Sequence, residues 1–140
     1  MRTKGQERAE FAYEKVKQAI AALQRGEKES KNAAKEFASF MAGLPVMILQ
    51  NGLGHTLCFL LAKDQNKRNT KHWFAFEAVV GWLAKDKRLA FEATKPTETI
   101  KELTEKEALE YMAVQEEALR FLEWFKVMSK MFVEEKGAET

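Results

Sequence analysis

Apolar residues recur along most of this chain with the period of an α-helix. Ala12, Val16, Ala19, Ile20 and Leu23 stand at i, i+4, i+7, i+8 and i+11, one helix face, and Gly26 supplies a C-terminal stop. Ser30 can cap a second helix in which Ala33, Ala34, Phe37, Met41 and Leu44 keep the period, until Gly43 and Pro45 interrupt it. A short apolar helix from Pro45 to Gln50 is expected next. Asn51 and Gly52 form a break, with Asn51 able to cap a third helix carrying Leu53, Leu57, Leu60 and Leu61. The polar run 63–71 predicts a loop, and Thr70 can cap a helix of Trp73, Phe76, Val80 and Leu83 that ends near Asp86.

Residues 87–103 predict loop and one short helix. Thr104 and Glu107 then have the spacing of a capping box, and Ala108, Met112, Gln115, Leu119, Leu122, Phe125, Ser129 and Phe132 trace one face behind it. Unbroken to Val133, this last helix would be about 43 Å long at 1.5 Å per residue. No alternating pattern competes. The expected fold is all-α, a compact bundle of five to six helices with a long C-terminal helix, forming a single α-helical domain over residues 1–140.

From Phe37 to Ala62 there is no Asp, Glu, Lys or Arg, which on hydropathy alone would suggest a membrane span. Pro45, the Gln50-Asn51-Gly52 break, Gly54 and His55 argue against one, because they would leave backbone groups unsatisfied in lipid. The segment reads instead as a buried helix-turn-helix, and no membrane partner is expected. A chain of 140 residues, 46% hydrophobic and 31% charged, can form one core, since folding at that size buries roughly two thirds of the unfolded surface. The polar start, Met1 to Arg8, carries no export pattern. Cys58, the single cysteine, closes no disulfide within the chain and reads as a core thiol in a cytoplasmic protein.

The residues that carry chemistry are few. His55, His72 and Cys58 are the strong nucleophile or metal-ligand types, and no H-E-x-x-H, C-x-x-C, Walker or G-x-S-x-G motif occurs. His55 and Cys58 lie one turn apart, which falls short of a metal site. The expectation is a binding protein without catalytic residues, metal or cofactor.

Charge is unevenly divided. Residues 1–95 carry 17 basic and 10 acidic side chains, a net +7, whereas residues 96–140 carry 6 basic and 11 acidic, a net −5. Such a division lets one surface attract a polyanion. Within the first helix Lys4, Arg8 and Lys15 fall on one flank of the apolar stripe, with Glu7, Glu10 and Glu14 opposite.

The run Leu44-Pro45-Val46-Met47-Ile48-Leu49-Gln50-Asn51-Gly52-Leu53-Gly54-His55-Thr56-Leu57-Cys58-Phe59-Leu60 resembles the signature of the small-subunit family of type III-B CRISPR effector complexes, the Cmr complexes. In that family an apolar segment runs into Gln-Asn-Gly-Leu-Gly, then a threonine and an aliphatic-aromatic helix. The resemblance implies a non-catalytic subunit of an antiviral RNA-guided complex, stacked in copies along a filament of backbone subunits beside guide and target RNA. Its partners would be other Cmr subunits, the filament protein above all, further copies of itself, and both RNAs.

Under that reading lysine and arginine would neutralise phosphates without reading bases. The candidates are the flank Lys4, Arg8 and Lys15 and the loop Lys63, Lys67, Arg68 and Lys71; a turn at Lys85, Lys87 and Arg88 lies at the other end of a helix of roughly 20 Å. The alternative is a helical adaptor that binds protein alone, through the acidic last helix or through Trp73, Trp82 and Trp124. A helix-turn-helix DNA reader fits less well, because apolar residues flank the Asn51-Gly52 bend and leave no polar recognition face.

Overall fold

The structure, a computed structural model, describes residues 1–25 and 32–138, with side chains as far as residue 135. The stop at Gly26 and the cap at Ser30 lie outside these residues. Six helices follow in order: α1 Lys4–Gln24, α2 Ala33–Asn51, α3 Leu53–Asp64, α4 Lys71–Lys85, α5 Pro96–Thr104 and α6 Ala108–Ala138. Strands are absent from the described residues. Two caps are local in sequence. Thr3 and Gln6 form a reciprocal capping box at the start of α1, and the Thr70 hydroxyl accepts from the Trp73 amide at the start of α4.

Pro45 does not end the second helix. Helix α2 runs through it, because a proline's φ already suits a helix and the cost is confined to one missing donor and crowding at residue 41. Gly43 is equally no break and lies within α2. Asn51 is the last residue of α2 rather than the cap of α3, and one residue, Gly52, joins the two helices at φ 89° and ψ 160°. That conformation belongs almost wholly to glycine. The capping box at Thr104 and Glu107 does not form either: Thr104 ends α5, and its hydroxyl donates to the Lys101 carbonyl.

The first turn of α3 has no cap of its own, and α6 supplies one. The Leu53 amide donates to Gln115 Oε1 and the Gly54 amide to the Tyr111 hydroxyl, both at 2.9 Å. Thr56 donates back to the Gly52 carbonyl. A Cβ on either Gly52 or Gly54 would stand 3.3 Å from the Tyr111 oxygen. The run Gln50 to Thr56 therefore has a structural cause: two glycines admit a tyrosine from a distant helix, which satisfies amides that the turn leaves bare.

Paired contacts fix the helix directions. Lys4 meets Asp86 and Lys15 meets Glu77, so α1 and α4 are antiparallel. Arg8 meets Glu117 and Phe11 meets Phe121, so α1 and α6 run the same way. Phe37 packs on Phe125, and Leu53, two residues past the end of α2, reaches Gln115, so α2 runs antiparallel to α6. At the centre Trp82 stacks on Phe121 with ring centroids 5.8 Å apart, and Phe11 lies against both. Trp82 and Phe121 are fully buried, and each such ring contributes roughly 1.5–3 kcal/mol by leaving water. The buried face of α6 is Val114, Glu117, Ala118, Phe121, Leu122, Phe125 and Ser129. Its N-terminal half is thus turned from the expected face by more than one residue step of about 100°; Met112 is exposed and the acid Glu117 lies inside. No helix among the described residues is long and apolar enough to cross a membrane.

Candidate nucleic-acid interface

The seven candidate cations separate into two regions, and the three on α1 are each engaged by a carboxylate. Lys4 holds Asp86 at 2.6 Å, and Lys15 holds Glu77 at 3.0 Å. Arg8 reaches the buried Glu117 with two hydrogen bonds, Nε to Oε2 at 2.6 Å and Nη2 to Oε1 at 2.8 Å, and the Trp82 indole donates to Oε2 at 2.8 Å. Burial disfavours the Glu117 carboxylate, yet the hydrogen bonds from Arg8 and Trp82 prevail and hold its pKa below the usual range. Arg8 is raised in turn, chiefly by Glu117. Asp86 follows the same rule: burial works against its charge, and Lys4 and Arg88 outweigh it. This flank ties α1 to α4 and α6.

The α3–α4 turn is built differently. Asp64 is fully buried and accepts from the Arg68 amide and guanidinium, at 3.1 Å, and from the Thr70 hydroxyl, at 2.7 Å. It holds a turn in which Gln65, Asn66 and Arg68 all adopt positive φ, a conformation that costs a residue other than glycine of order 1 kcal/mol. Arg68 also lies over the Trp73 ring at 4.3 Å, so of the four loop candidates it is the one absorbed by the fold. Lys63, Lys67 and Lys71 make no ion pair among the described residues. Lys67 is exposed. Lys71 Nζ lies 5.3 Å from the Phe40 ring centre and Lys63 Nζ 5.9 Å from that of Phe59.

Between those two rings sits His72, 4.9 Å from Phe40 and 6.1 Å from Phe59 with planes at 71° and 77°. Burial, then Lys71 and Lys63, lower its pKa, with Asp64 acting weakly the other way. Lys63, Lys71 and His72 line a groove of about 560 Å³ with Leu23, Glu36 and Phe37. A second depression, lined by Lys35, Ser39 and Phe40, shares Glu36 and Lys71 with it. The structure therefore joins Lys63 and Lys71 and sets Lys4 apart at the far end of α4, a helix about 22 Å long.

Sequence reasoning had no signal for His72 or Lys35 at this site, because their neighbours come from other helices. Cys58 is exposed, not a core thiol, since it lies on the outer side of α3. His55 is exposed as well, and no cluster of three or more His, Cys, Asp or Glu side chains fit for a metal ion occurs among the described residues. Trp73 and Trp82 belong to the core, whereas Trp124 is 39% exposed and continues along α6 into exposed Val127 and Met131. The uncharged segment is also only half buried: Val46, Leu49, His55 and Cys58 face outward from α2 and α3.

Fold and site together define a small all-α protein with an unneutralised cationic end and a Gly-Leu-Gly turn braced on its long last helix. The chain belongs to the Cmr5 family of CRISPR-associated proteins, whose model matches residues 4–132. It is 30% identical over 135 residues to the CRISPR system Cmr subunit Cmr5 of Thermus thermophilus, a match spanning 96% of this chain and 100% of that one. The X-ray crystal structure of a CRISPR-associated Cmr5 family protein from Thermus thermophilus shares the fold, with a TM-score of 0.66 at 27% identity over 94% of this chain and 97% of the other.

Proposed function

We propose that this chain is a non-catalytic small subunit of a cytoplasmic Cmr ribonucleoprotein in antiviral defence, acting as one α-helical unit that lines the backbone filament. It helps to hold guide and target RNA by phosphate contacts that do not depend on base sequence. Family membership supports the assembly. The observation that carries the RNA contact is the trio Lys63, Lys67 and Lys71, which project from one turn without carboxylate partners among the described residues. Lysines in this state exchange their counterions for phosphates, and the affinity falls with salt. Arg68, Lys4, Arg8 and Lys15 contribute chiefly by holding the fold.

The test is fluorescence anisotropy of a labelled single-stranded oligoribonucleotide titrated with the purified chain over a salt series. Binding that weakens linearly in log–log form, alike for different base sequences, is expected. Purification from native cells with identification of bound proteins and RNA tests the assembly. A second reading, a protein-binding adaptor without RNA contact, is favoured by the exposed Trp124, Val127 and Met131 on α6. It predicts stable protein partners and no salt-dependent RNA binding.

A further inference from the structure

The groove beside the α3–α4 turn has a feature that a solubilising patch of lysines does not need. Lys63 and Lys71 come from different helices, each ammonium lies over the phenyl ring of a different phenylalanine, and those two rings also flank His72. Bracing by Phe40 and Phe59 limits the freedom that each lysine would otherwise lose on meeting an anion. The imidazole is half-buried between the rings, in a groove open to solvent.

We propose that Lys63, Lys71 and His72 form one seat for a backbone phosphodiester of RNA, and that His72 takes a proton from solvent as the phosphate binds. The proposal rests on the RNA-binding reading above and adds a site and a pH dependence to it. In the free protein the surroundings of His72 favour the neutral ring. Lys71 on its own helix and Lys63 on α3 oppose protonation, and Asp64 on α3 favours it. Helix α2 brings Glu36 to the same groove and Lys35 to the adjoining depression, and among the described residues α1 contributes only Leu23 to the groove. A phosphate between the lysines cancels their repulsion, which adds to burial in keeping the ring neutral, and offers an acceptor for an added N–H. Binding therefore takes up a proton, and affinity rises as pH falls through the pKa of His72 in the complex.

The experiment is an NMR titration of both imidazoles in the full chain, with and without saturating oligouridylate, alongside anisotropy over the same pH range. RNA is expected to raise the midpoint of His72 by about one pH unit while leaving the exposed His55 unmoved, with RNA held several-fold tighter at about pH 5.5 than at about pH 7.5. The variant H72Q should lose that pH dependence, with one affinity for RNA at both ends of the range. RNA binding with His72 unmoved, or with both histidines moved alike, would overturn the seat and leave the RNA-binding reading standing. Absence of RNA binding at low salt throughout the range would overturn both. An equal shift produced by inorganic phosphate at matched phosphate concentration would overturn the assignment to a nucleic-acid backbone.

Discussion

The first-helix flank and the α3–α4 turn offer similar numbers of cations, and folding uses them in opposite ways. Along α1, Lys4, Arg8 and Lys15 each meet a carboxylate from α4, its C-cap Asp86 or α6, and the charges serve as ties between helices. At the turn, the one acid that is fully buried, Asp64, is taken up by the backbone and side chain of Arg68 and by Thr70. Lys63, Lys67 and Lys71 are left facing solvent. Formal charge is thus a poor guide to a polyanion site until it is known which charges are already matched. Reversing Arg68 would place a carboxylate against Asp64 and unsettle the turn, so charge reversals belong at the lysines.

The strongest way to break the comparison is to remove the acid that the α1 flank depends on. Glu117→Leu should destabilise the protein by about 3 kcal/mol or more, since it leaves Arg8 and the Trp82 indole without their acceptor in a nearly dry setting. Denaturant unfolding measures this. The same flank sets the acid sensitivity. The pKa values of Glu117 and Asp86 are depressed in the folded state, so their contribution is complete above the ordinary carboxylate range, about 4 to 4.5, and is lost as pH falls through the folded values. Glu117→Leu should flatten that part of the stability–pH curve; an unchanged slope would show that the ties on α1 carry little of it.

Next in size is the turn's own anchor. Asp64→Ala should cost about 2 kcal/mol, because the Arg68 amide and Thr70 hydroxyl lose a buried acceptor and the left-handed residues lose their restraint. RNA affinity should fall with it, as the lysines are no longer presented together. The double change Lys63→Glu with Lys71→Glu should do the reverse: about tenfold or greater loss of RNA binding at low salt, with stability shifted by no more than about 0.5 kcal/mol. A comparable loss in both quantities would erase the distinction between the regions. The smallest effect is expected from Lys4→Gln with Lys15→Gln, less than about twofold on RNA binding and within about 1 kcal/mol on stability, as both pairs are partly solvated.

Much of the fold is legible in the sequence because short-range pattern determines it. Ala12, Val16, Ala19 and Ile20, the stripe Leu53, Leu57 and Leu60, and the Trp73 to Leu83 face are all buried as their spacing predicts. Two of the expectations that failed share one cause. The seam of α6 and the cap of α3 depend on residues far along the chain: Glu117 is admitted to the interior by Arg8 and Trp82, and α3 is capped by Tyr111 and Gln115, whereas α2 passes through Pro45 because a proline's φ suits a helix.

By itself, then, the sequence determined the helical class, the inward faces of α1, α3 and α4, the family-bearing run from Gln50 to Thr56 and the surplus of positive charge in the first 95 residues. Tertiary structure alone decided which of those charges remain available, because neutralising a side chain takes a partner within about 4 Å and helices meet residues that spacing along one helix does not reveal. It also turned part of an uncharged segment outward and brought Lys63, Lys71 and His72 to a single groove. Periodicity is a property of one helix, whereas charge matching is a property of two.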